Sequence, residues 1–277
     1  MEPHRPPLIR EAVLDGIFYP HTAAHLQEAV RMLLLRCEEV AGSASGIVSP
    51  HGSMQYSGLH QAAAFKSAAT RAPRLTVIIG AATHEACTRP SVPESDVFRT
   101  PLGDSFVDSD RCEYLQRISS NIVRDDIPHL QAPSIETALP FIQFLFPETL
   151  VLPILVNNLT ETRCRELGMA VQMATADCPD DDILWICSTN MARGGNSRAV
   201  RAKADDLVAR LENREIHSCL PAARRGRGYP SASCLTLVEA MCPDDERFEV
   251  LTRGSSFDID GNPGSSTEYA AIACRRL

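Results

Sequence analysis

Aromatic residues are scarce in this chain. They make up 5% of its 277 positions, and Trp185 is the one tryptophan. Any core must therefore be mainly aliphatic. No apolar run reaches the length of a bilayer span, so no membrane partner is expected. The opening residues Met1 to Pro7 lack the apolar stretch of a secretory signal, and a cytosolic protein is the expectation. Basic residues are sparse as well. The net charge is −8, and the densest basic run, Arg224-Arg225-Gly226-Arg227, reads as a solvated loop, so no nucleic-acid partner is expected. The chain also lacks a Gly-x-Gly-x-x-Gly turn, a Gly-x-Ser-x-Gly elbow and a phosphate-cradling Walker loop. These absences argue against nucleotide chemistry and serine hydrolysis on ordinary scaffolds.

Cysteine, by contrast, is plentiful. The ten cysteines form no Cys-x-x-Cys pair, and in a chain this long they read as reduced thiols, most of them small buried hydrophobes. Apolar strand-like runs alternate with segments of helical period. Strands are expected at 47–49, 75–79, 150–156, 182–188, 248–252 and 269–274, with a hairpin over 96–107. Helices are expected from Thr22 to about Val40, from a start at Ser57 through Ala69, and over 110–122, 134–146, 160–174 and 197–211, with a last one ending at Met241. Pro153, inside one strand, points to an edge or a bulge. The alternation argues for one α/β domain over 1–277, with a central mixed sheet flanked by helices.

Two histidines follow strand-like runs. His51 comes just after Ile47-Val48-Ser49-Pro50, and His84 comes just after the run that ends at Gly80. Ligands in α/β sheets collect at the carboxyl ends of strands, and neutral imidazole is a common ligand of transition metals. Two strand-end imidazoles that converge would make a metal-type site with open positions. Other histidines read differently. His21 and His25 are expected at the surface, and His129 in an exposed loop.

Motifs in consistent order carry a resemblance. They are Arg5-Pro6-Pro7 with Gly16-Ile17-Phe18-Tyr19-Pro20, then Pro50-His51-Gly52 through Tyr56-Ser57-Gly58, then Ile79-Gly80-Ala81-Ala82-Thr83-His84. Thr100-Pro101-Leu102-Gly103, Ser134-Ile135-Glu136 through Pro140-Phe141, Leu152-Pro153-Ile154-Leu155-Val156 and Glu268-Tyr269-Ala270-Ala271-Ile272-Ala273 complete the series. Together they resemble the MEMO family, relatives of the class III extradiol ring-cleaving dioxygenases.

The resemblance implies an extradiol-dioxygenase-like fold and a cleft with a metal-type site of two histidines and a cysteine. The histidines carry over to His51 and His84. The cysteine position falls on Tyr229, with Cys234 five residues later. By order along the chain, Tyr229, Cys234 and Glu239 are the candidates for a third ligand, with Glu239 expected on the wrong turn of its helix. The family's aspartate and histidine near the cleft are Asn190 and Arg193 here, and another family histidine is Pro133.

An amide at 190 cannot act as a base at neutral pH. A guanidinium at 193 would repel a metal cation and attract a carboxylate or phosphate. Glu136 reads as a first-turn carboxylate beside a helix dipole, with a cleft role implied by its motif. The expected function is a two-histidine cleft that holds copper or iron and supports redox chemistry. The alternative is a non-catalytic cleft that binds a peptide or small anionic molecule. Ring cleavage ranks last, because its third ligand and acid–base neighbours are replaced.

Overall fold

Continuous apolar runs become strands buried on both faces. The computed structural model describes residues 5–38, 43–82, 87–220, 231–262 and 264–276. Its first half runs β1 (Ile9–Arg10), α1 (Ala23–Arg36), β2 (Gly46–Ser49), α2 (Met54–Lys66), β3 (Leu75–Ala81), β4 (Ser91–Val92), β5 (Val97–Thr100), β6 (Gly103–Phe106), α3 (Ser109–Ile118) and β7 (Val123–Arg124). The short helices α4 (Ile127–Leu130), α5 (Pro133–Glu136) and α6 (Leu139–Leu145) come next. They lead to β8 (Leu150–Val156), α7 (Glu161–Thr175), β9 (Ile183–Ser188) and β10 (Ala192–Gly194). The chain continues with α8 (Ser197–Glu212), α9 (Ala232–Met241), β11 (Arg247–Ser255), α10 (Phe257–Asp260) and β12 (Ser266–Arg275).

Strands β2, β9, β3 and β8 lie side by side and parallel. Helices cover both faces of such a sheet, which is why these runs carry almost no charge. β12 returns antiparallel to β2, with Ile272 opposite Val48, and both β10 and β11 pair antiparallel with β12. At the other side, β4 meets β8 at Ser91 and Leu155 and carries β7. A second, small sheet has the order β1-β5-β6. Its hairpin turns at Gly103, whose φ of 126° suits glycine. The expected mixed sheet flanked by helices is therefore what the chain forms.

Alternation along β9 shows how the layers are arranged. Cys187 meets Cys234 of α9. The next residue, Ser188, is level with Gly80, and a Cβ at Gly80 would lie 2.6 Å from Ser134 Oγ of α5. Successive strand residues point to opposite faces. So α9 covers one face, and α5 with its neighbours covers the other. The core is aliphatic, as the composition requires, with Phe65 and Phe141 stacked at 5.1 Å between α2 and α6. All ten cysteines are free, and eight of them are buried. No described helix is long and apolar enough to cross a membrane.

Some local expectations need correction. α2 begins after Ser53 rather than at Ser57. Ser57 is instead a buried residue inside the helix, donating to the Ser53 carbonyl. The helix expected over 134–146 is split into α5 and α6, because Pro140 lacks the N–H that a continuous helix would use. Pro153 lies on β8 between its contacts with Val107 at Val151 and with Ser91 at Leu155, where no neighbouring strand requires its missing N–H. His129 is not in an exposed loop. It lies in α4 and is fully buried, because Arg10 donates to its carbonyl at 3.1 Å and Phe98 packs edge-on against its ring.

Candidate functional site

Ser49, Ser188 and Gly80 form one rung across β2, β9 and β3. His51 follows that rung by two residues. β3 ends one residue after that rung, at Ala81, and lies two strands away from β2, roughly 10 Å. His84 itself lies outside the described residues, as do Tyr229 and the Arg224–Arg227 run.

His51 is held by two bonds. Its backbone N–H donates to Asn190 Oδ1 at 3.1 Å, and its ring Nδ1 lies 3.3 Å from the Ser188 carbonyl. A carbonyl only accepts, so Nδ1 carries the proton and Nε2 keeps its lone pair. Burial pushes the His51 pKa down to about 4, against the opposing pull of the Ser188 carbonyl. At neutral pH the ring is therefore uncharged. Asn190 is fixed in turn, because Ser231 Oγ donates to its carbonyl at 2.5 Å.

The antiparallel return of β12 adds a residue that the strand-end argument passed over. Ile272 opposite Val48 brings Tyr269 level with His51. A Cβ at Gly52 would come 3.3 Å from the Tyr269 ring, so glycine at 52 lets that ring approach. Burial pushes the Tyr269 hydroxyl pKa up. Tyr56 and Asp260 reinforce this, while Thr267 and Arg193 oppose it. His60 of α2 stacks on Tyr269 with ring centres 6.1 Å apart and places Nδ1 2.8 Å from Thr252 Oγ1. The signal for Tyr269 was in the sequence, in the Glu268-Tyr269-Ala270 motif, but only the β2–β12 register gives it a place.

Gly254 makes room for His60. A Cβ there would fall 2.4 Å from His60 Nε2. Gly254→Ala should force the imidazole off Thr252 and Tyr269 and destabilise the fold by about 1–3 kcal/mol, the usual range for overpacking. Urea unfolding of the variant would measure the loss, and an unchanged midpoint would show that His60 yields freely.

With this geometry in place, comparison with known proteins decides the family. A model described as Memo-like protein matches residues 10–273. The chain belongs to the Memo-like family. A MEMO1 family protein of Thermoplasma acidophilum is 27% identical over 268 residues, covering 95% of this chain and 97% of that protein. One from Methanococcoides burtonii is 26% identical and covers 95% and 99%. One from Nitrosopumilus maritimus is 26% identical and covers 96% and 99%.

In this Memo-like chain the remaining candidate residues separate. Asn190 is beside His51. Arg193 lies on β10 opposite Thr267, exposed, with its charge acting on Tyr269. Glu136 is fully buried, but its carboxylate is committed to the N-terminal segment. It accepts from the backbone N–H groups of Val13 and Leu14 at 3.1 and 2.8 Å, accepts from Tyr19, and pairs with Arg10. Of the proposed metal-site histidines, His51 is the one among the described residues. Cys234 is fully buried on α9 beside Cys187, and Glu239 is on the same helix. No described cluster of three or more histidine, cysteine or acidic residues could hold a metal ion.

Proposed function

We propose that the strand-end cleft binds a transition metal, copper or iron, through the imidazoles of His51 and His84. One observation carries this reading: His51 turns Nδ1 to the Ser188 carbonyl and so leaves a neutral Nε2 for coordination. Metal-binding histidines are commonly held in this way, by a backbone carbonyl at the other ring nitrogen. Ser188 Oγ, buried and without a hydrogen-bond partner, lies on the adjoining rung. A bound metal would supply Lewis acidity or one-electron chemistry at the end of the sheet. In the chain itself, Asn190 holds the His51 backbone, and Tyr269 closes the cleft over Gly52.

Metal analysis of protein purified without chelator, followed by titration with Cu(I), Cu(II) and Fe(II), tests the proposal. Wild-type protein should bind one ion, and His51→Ala should weaken binding by roughly tenfold or more. A wild-type chain that takes up none of these ions, or a variant that binds as well, refutes it. A second reading is favoured by Arg193, an exposed guanidinium on β10 whose charge acts on Tyr269. Under it the cleft takes a small anion or an acidic peptide instead. Binding of inorganic phosphate that Arg193→Ala weakens and His51→Ala leaves intact would support that reading over the metal.

A further inference from the structure

A groove of about 420 Å³ lies between α7 and α9 and shares no lining residue with the cleft. Its walls include Met169, Leu237 and Met241, which give it an apolar, adaptable surface. Polar groups converge at one place on it. Glu239, in the last turn of α9, lines the groove at 8% exposure, and its Oε1 is buried without a hydrogen-bond partner. Thr236 Oγ1, one turn earlier on the same helix, is also buried and unpartnered.

The two arginines of the groove are already matched, and His217 also lines it. Arg165 pairs with Glu161 at 2.9 Å. Arg214 donates to the carbonyls of Glu239, Cys242, Pro243 and Glu246, covers the Phe248 ring and lies 3.7 Å from Asp244. Arg214 has a φ of 56°, and those carbonyl bonds hold it there. Its guanidinium is thus anchored to backbone carbonyls. Burial pushes the Glu239 pKa up, with the Ile216 amide, His217 and Arg214 pulling the other way.

We propose that this groove is a binding site for a small amphipathic amine, with the ammonium on Glu239 and Thr236 and the apolar body along Met169, Leu237 and Met241. An ammonium has three donors and no acceptor, which suits two buried oxygens that lack donors. A charge-assisted hydrogen bond to a poorly hydrated carboxylate is stronger than a neutral one. The carbonyl end of α9 favours a cation in addition. A carboxylate ligand of the same length would meet Glu239 with like charge.

The test uses n-hexylamine and hexanoate as probes, followed by chemical-shift titration of the full chain. Hexylammonium should shift resonances of the groove residues saturably, and hexanoate should bind at least tenfold more weakly. Glu239→Gln, which keeps the side-chain volume, should cost hexylammonium tenfold or more in affinity. His51→Ala should leave that affinity unchanged, which separates this site from the cleft. Absence of hexylammonium binding, equal binding of hexanoate, or an undiminished Glu239→Gln affinity would each overturn the proposal. The comparison of the two probes on unmodified protein stands even if a variant folds poorly.

Discussion

Glu136→Ala should lower the stability of the fold by about 3–5 kcal/mol, the range for removing one partner of a buried ion pair. The pair is with Arg10, and both side chains are almost completely excluded from solvent. With the carboxylate gone, the guanidinium would remain buried with the His129 and Leu130 carbonyls as its acceptors among the described residues, at 3.1 and 2.9 Å. The amides of Val13 and Leu14 would lose their acceptor, and so would the Tyr19 hydroxyl. The loss is large because several donors depend on one carboxylate. Burial, then the hydrogen bond to Glu136 and its charge, hold Tyr19 firmly protonated, so it serves as a donor throughout the physiological range.

The same network gives a control. Replacing both partners by apolar residues of similar size, Arg10→Met with Glu136→Leu, should recover the share of the loss that comes from the stranded guanidinium, because no charge is then left buried alone, while the Val13 and Leu14 amides and the Tyr19 hydroxyl stay without their acceptor. Equilibrium denaturation of Arg10→Met, Glu136→Leu and the double variant yields the coupling. A Glu136→Ala loss below about 1 kcal/mol would show that water reaches the pair and that the N-terminal segment is not clasped in this way.

That role for Glu136 could not be read from the sequence. Its place in the first turn of a helix was visible, and so was the motif around it. Its partners lie more than 115 positions away, and nothing local announces them. The sheet was far more legible. Runs such as Leu150 to Val156 and Ile183 to Cys187 are apolar without interruption, and burial on both faces demands that pattern. Helix starts were less secure. Ser53 and Ser57 are equally good caps by residue type, and only the close packing of Gly52, Ser57 and Gln61 decides between them.

The candidate site divides along the same line. The place of His51 at a strand end was legible from the apolar run before it, whereas Asn190 was singled out by the family resemblance and its bond to the His51 amide is seen in the structure. Tyr269 was not placed, since its level on the sheet depends on the β2–β12 register. Cys234 was a candidate by its distance along the chain, but helical spacing alone does not say which side of α9 faces the sheet. The structure turns it toward Cys187. His129 shows the opposite error. A histidine just after a proline, in Ile127-Pro128-His129-Leu130, reads as an exposed loop residue, yet Arg10 and Phe98 enclose it.

That enclosure has a consequence for acid stability. His129 is fully buried, with Nε2 3.2 Å from the Ser91 carbonyl and Nδ1 without a partner. Nε2 therefore carries the proton, and protonating Nδ1 would place a charge beside Arg10 with no acceptor. Burial is the main cause that pushes its pKa from an ordinary 6.5 to about 4. The unfolded chain thus binds a proton more readily than the folded one. Stability from this group is complete above pH 6.5 and declines as pH falls toward 4, by about 3 kcal/mol in all. His51 shifts in the same direction and adds to the loss over the same interval. Asp96, Asp104 and Asp177, with pKa values lowered from the ordinary 3.8, act mainly below that interval. Urea midpoints from pH 7 to pH 4.5 should therefore fall steadily. His129→Gln should be less stable at pH 7 but should show a shallower fall, because it cannot take up the proton. A flat wild-type profile, or the full slope retained in His129→Gln, would mean that solvent reaches the ring and charges it at little cost.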